Sequence, residues 1–176
     1  MKQTVMSAGR WARCLVLVSL FAGSAAWASD EADDSLVGRV RDANNRFRDV
    51  SVAVSEGYRP MPCASGADGG AMGVHYVNTK LLGADGVDIR RPQAVMYEPL
   101  SDGRMVLVAV EYITAKGPAE LEGQLFNFTG APNRYGLGPF YSLHVWAWKP
   151  NPKGAFADMN PNVTCEHAST EKPAAN

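Results

Sequence analysis

Residues 104–114, Arg-Met-Val-Leu-Val-Ala-Val-Glu-Tyr-Ile-Thr, constrain the fold more than any other stretch. The run is apolar at odd and even positions alike. A strand built from it has no face to offer water, so it belongs at the centre of a sheet covered on both sides. Shorter strand-like stretches at 73–78, 94–98, 123–128 and 140–148 alternate with turn signals, and Ser101-Asp102-Gly103 marks a hairpin into the central strand. One helical pattern precedes them. Leu36, Val40, Ala43, Phe47, Val50 and Val54 recur at steps of four and three, which predicts an amphipathic helix over 35–56. Asp33, Asp34 or Ser35 caps its start, Gly57 stops it and Tyr58 folds back on its last turn. One N-terminal amphipathic helix packed on a mostly antiparallel curved sheet or partial barrel, in a single α+β domain, is the expected architecture.

The ends of the chain indicate export. Lys2, Arg10 and Arg13 precede an apolar run from Cys14 to Ala26, and Ala26-Trp27-Ala28 supplies the small residues of a cleavage site. The run is short of the roughly 20 residues a membrane-spanning helix needs. The expected organisation is a signal peptide over 1–28, an acidic linker over 29–34, the domain over 35–167 and a disordered tail over 168–176. The expected destination is the periplasm or the extracellular medium, with no membrane span after cleavage. Cleavage removes three positive charges and no negative ones, so the net charge of −1 falls to about −4. No concentration of Lys and Arg points to nucleic acid. Cleavage also leaves two cysteines, Cys63 and Cys165, most simply joined as a disulfide in an oxidising compartment. Two buried free thiols are the alternative.

Most charged residues lie in the helix or in loops, but His75, Glu98, Glu111 and His144 lie in strand-like segments. Simple alternation puts Glu111 on a face with Met105, Leu107, Ala109 and Ile113, and His144 with Trp146 and Trp148. A buried carboxylate needs a partner. If the strands are neighbours, His75, Glu98, Glu111 and His144 make a site for one divalent ion, with zinc, iron, manganese and copper all compatible. The same residues could instead serve a small-molecule pocket walled by Tyr76, Asn78, Tyr97, Tyr112 and Trp146, or act in a metal-dependent oxygenase or hydrolase. Structural networks are the remaining alternative, with Glu111 paired to Arg90, Arg91 or Arg134 in a non-catalytic envelope protein.

Several motifs together resemble a family of exported bacterial proteins. They are Met72-Gly-Val-His-Tyr-Val-Asn78, Met96-Tyr-Glu-Pro99, Val110-Glu-Tyr112, Leu143-His-Val-Trp146, Asn151-Pro-Lys-Gly154 and Asn160-Pro-Asn-Val-Thr-Cys165. The resemblance implies export and implies no particular reaction. It also implies that His75, Glu98, Glu111 and His144 belong to the family's recurring motifs.

Overall fold

The computed structural model describes residues 34–66, 69–82 and 86–169. The expected signal peptide, all but the last residue of the acidic linker, and the tail from 170 onward lie outside the described residues.

The expected single helix is two helices. α1 (Leu36–Asn44) begins at Ser35, whose side chain accepts from the Gly38 amide at 3.1 Å. A 3-10 turn (Asn45–Arg48) follows, and α2 (Val50–Ser55) starts at Asp49, which accepts from the Ser51 amide. The break has a local cause. Asn and Asp compete for backbone groups and favour helix ends, and the fully buried Asn44 donates to the carbonyls of Val40 and Ile89. The turn also rotates the apolar stripe. Val40, Phe47 and Ala53 are fully buried, whereas Val54 is 43% exposed.

The chain then forms β1 (Arg59–Pro60), β2 (Ala64–Gly66), β3 (Gly70–Val77), β4 (Ala94–Pro99), β5 (Met105–Thr114), β6 (Glu120–Leu121), β7 (Gln124–Leu125), β8 (Asn127–Thr129) and β9 (Phe140–Val145). The main sheet runs β1-β3-β4-β5-β9-β8 with β2 also on β3, and every pairing is antiparallel. β6 and β7 pair separately. The sheet is open, not a barrel, with β5 in its interior as its apolar sequence demands. Gly103, at φ +82°, completes the β4–β5 turn, where the Leu100 amide donates to the Arg104 carbonyl and the Gly103 amide to the Leu100 carbonyl.

A bulge sets which side chains share a face. Met96 lies opposite Ala109 and Tyr97 opposite Leu107, so Val108 is an extra residue on β5. This corrects the simple alternation. Ala109 stays on the face of Glu111, while Met105 and Leu107 pass to the helix face. That face packs Val95, Tyr97, Leu107, Val110, Tyr112, Leu143 and Val145 against Val40, Phe47, Ala53 and Tyr58. Each fully buried aromatic or large aliphatic side chain there contributes on the order of 1.5–3 kcal/mol. The opposite face carries a smaller cluster, Ala71, Met96, Val108, Ala109, Trp146 and Val163. Long loops cover it, and Cys63 is joined to Cys165 with a Cα–Cα distance of 5.8 Å.

β9 stops at Val145, earlier than the pattern over 140–148 suggests. The Trp146 amide turns aside to the carbonyl of Ala155, and the Trp148 amide bonds the Val108 carbonyl at the bulge. Trp148 therefore packs with the helix-side cluster, not beside His144.

Candidate metal centre

Three strands of the main sheet, with β4 lying between the first two, bring three of the four expected residues together. β3 supplies His75, β5 supplies Glu111 and β9 supplies His144, with Glu111 directly opposite His144 in the register. All three are buried, at 0%, 2% and 3% exposure. Nε2 of His75 lies 3.5 Å from one Glu111 carboxylate oxygen, and Nε2 of His144 lies 3.6 Å from the other. One ligand atom from each residue falls within 4.8 Å of the other two. The imidazole rings stand nearly perpendicular, with centroids 6.1 Å apart.

These separations are too long for N–H···O bonds, whose heavy atoms stand 2.7–3.2 Å apart. Both Nε2 atoms are buried with no hydrogen-bond partner. Such orphaned polar atoms are costly unless something else engages them. Donors about 2.0–2.2 Å from a common ion at tetrahedral angles stand about 3.3–3.6 Å apart. The two measured separations fit that spacing.

Two loops complete the surroundings. The segment 130–139 joins β8 to β9, and its ends are pinned by the pairing of Thr129 with Phe140. From it, the Tyr135 hydroxyl donates to the Glu111 carboxylate. Arg134 places Nη1 3.1 Å from Nδ1 of His75 and donates from Nη2 to the Pro62 carbonyl at 2.7 Å. From the loop after β9, Asp158 brings a carboxylate oxygen to 3.2 Å from Nδ1 of His144, near enough for an ion pair though not aligned for a hydrogen bond.

The two histidines differ electrostatically. Burial holds His75 well below the usual histidine range, and the Arg134 guanidinium and His144 push the same way. Burial alone would also lower His144, but the carboxylates of Glu111 and Asp158 outweigh it and raise it. His144 in turn lowers Asp158. Burial, then the Glu111 charge, drives the Tyr135 phenol up, so it stays protonated as a donor.

Glu98 does not join this group. It is buried at 6% exposure, ion-paired to Lys149, and its other oxygen accepts from the Thr164 amide at 3.1 Å. It anchors the loop between β9 and Cys165. The expected aromatic pocket is also corrected. Tyr97 donates to the Phe47 carbonyl, Tyr112 to the Ile89 carbonyl and Asn78 to the Glu56 carbonyl, and both tyrosines lie in the helix-side core. Tyr76 stacks edge-on against Tyr97, 5.0 Å between centroids. Trp146 alone of the five is on the site's face, and its indole donates to the Ala157 carbonyl.

Arg134 was expected only as a partner of Glu111, and its contact is to His75 instead. Tyr135 and Asp158 carried no spacing signal, because irregular loops deliver them. Comparison with protein-family models, with curated proteins and with solved structures returns no match for this chain.

Proposed function

We propose that this is an exported metal-binding protein whose ion is held by Nε2 of His75, Nε2 of His144 and the Glu111 carboxylate. One observation carries the reading. Two buried, unpartnered imidazole nitrogens converge on one buried carboxylate at 3.5 and 3.6 Å, a spacing that suits a shared ion and not direct hydrogen bonds. Two imidazoles and a carboxylate suit zinc, and equally the iron(II) sites built on two histidines and one carboxylate, with manganese and copper as further occupants. Asp158 behind His144 supplies the carboxylate that commonly orients a metal-bound histidine. The Cys63–Cys165 disulfide supports an oxidising compartment, as does the resemblance to exported bacterial proteins.

Metal analysis of protein purified from the periplasm or medium, then reconstituted with zinc, iron(II), manganese and copper in turn, tests this. The expected result is one ion per chain, lost in His75→Ala and in His144→Ala but kept in Glu98→Gln. No stoichiometric uptake of any of the four metals overturns the proposal.

A catalytic role, as a metal-dependent oxygenase or hydrolase, is favoured by the count of donors. Three protein ligands leave positions for water or substrate, as catalytic sites do. It requires the loop carrying Arg134 and Tyr135 to open, because the three donors are buried. Metal-dependent oxidation or hydrolysis of small substrates would have to be lost in Glu111→Gln.

A further inference from the structure

The two histidines face partners of opposite charge at Nδ1, Arg134 at His75 and Asp158 at His144. A guanidinium can only donate. Facing a guanidinium, Nδ1 of His75, 3.1 Å from Nη1 of Arg134, takes the accepting role, which leaves the ring's proton to Nε2, on the side of Glu111 but at 3.5 Å too far to bond it. A carboxylate only accepts. At 3.2 Å from Nδ1 of His144, the Asp158 charge favours the tautomer that carries its proton on Nδ1, which leaves the Nε2 lone pair toward the same centre. A metal ion needs lone pairs from both Nε2 atoms. In these tautomers His144 is ready for it and His75 is not.

We propose that Arg134 is a positioning residue that closes the site, holding His75 in the tautomer that rejects metal, while Asp158 holds His144 in the tautomer that accepts it. The inference rests on the metal reading above and adds the control of occupancy. Arg134 has the attachments of a latch. It lies on a hairpin loop rather than on the sheet, and Nη2 is tethered to the Pro62 carbonyl, next to the disulfide-bonded Cys63. When it leaves, the His75 proton can move to Nδ1, because the donor that required that nitrogen to accept is gone. Nε2 of His75 is then free to bind. The ring keeps one proton throughout, so the switch is a change of tautomer.

Zinc affinity, measured by competition with a chromophoric chelator, and imidazole nitrogen NMR of the unloaded protein test this together. The unaltered protein should show His75 protonated on Nε2 and His144 on Nδ1. Arg134→Met should move the His75 proton to Nδ1 and tighten zinc binding at least tenfold. Asp158→Asn should weaken it at least tenfold. Opposite signs from two residues in loops over one site separate this from general loosening, which would weaken both. A His75 proton on Nδ1 in the unaltered protein, or unchanged or weaker binding by Arg134→Met, overturns the proposal and leaves the metal reading intact. Failure of the unaltered protein and both variants to bind zinc, iron(II), manganese or copper overturns both.

Discussion

Replacing Cys63 and Cys165 together by serine isolates what the covalent tie contributes. The two cysteines are 102 residues apart. In the chain-entropy description, opening a loop of that length frees the unfolded chain by about 4.7 kcal/mol at 25 °C. Both cysteine side chains are only half-buried, so lost packing adds little to that figure. For roughly 130 described residues at about 2.1 cal/mol/K each, the loss corresponds to a fall in melting midpoint of about 15–20 °C. Urea unfolding of both proteins at pH 7.5, followed by circular dichroism, measures the free-energy difference directly. The denaturant slope should also rise, because the untied unfolded chain exposes more surface. A loss below about 2 kcal/mol with an unchanged slope would refute the reasoning. It would mean that the unfolded chain is already confined without the bond.

Gly73 has φ +88°, and a Cβ there would lie 2.4 Å from the Tyr97 carbonyl oxygen, so Gly73→Ala should cost at least about 2 kcal/mol in urea unfolding. Glu98→Gln should leave the sheet intact but loosen the loop before Cys165. Hydrogen exchange of the Thr164 amide, which Glu98 accepts, should speed up about tenfold while the β5 amides stay protected. His75 is held neutral in the folded protein, with a pKa well below the usual value, whereas the unfolded chain takes up its proton near pH 6.5. The unfolded state then binds more protons, so stability of the metal-free protein falls as pH drops below about 6.5, by up to about 1.4 kcal/mol per pH unit. His144, whose pKa is raised, acts in the opposite sense and only above about pH 6.5, so it does not cancel this loss. Urea midpoints between pH 7 and 5.5 with a chelator present should therefore decline in the unaltered protein and flatten in His75→Gln.

The sheet and three of its site residues were legible because strand periodicity carries them. His75, Glu111 and His144 interrupt apolar runs, and an ionisable group in such a run must find a partner on a neighbouring strand. Glu98 carried the same signal for a different reason, since a buried carboxylate that holds a lysine and a backbone amide interrupts a strand just as a ligand does. The bulge at Val108 left no trace, because an apolar residue on either face of β5 reads the same. The helix break was missed because the apolar stripe runs on through it, although Asn44-Asn45 and Asp49-Val-Ser51 are residues that favour helix ends. Arg134, Tyr135 and Asp158 come from loops whose course is set by tertiary contacts, and no local pattern announces where such side chains arrive.

The pairing of Thr129 with Phe140 makes the loop over the candidate metal centre an exchangeable part. Its ends are fixed to each other by the sheet, and the helix-side core lies on the other side of that sheet. A graft between these two residues could alter which side chains stand above His75, Glu111 and His144 while the three donors keep their places on β3, β5 and β9. The surroundings of the candidate centre are therefore open to redesign through a ten-residue cassette, with the donor spacing inherited from the scaffold.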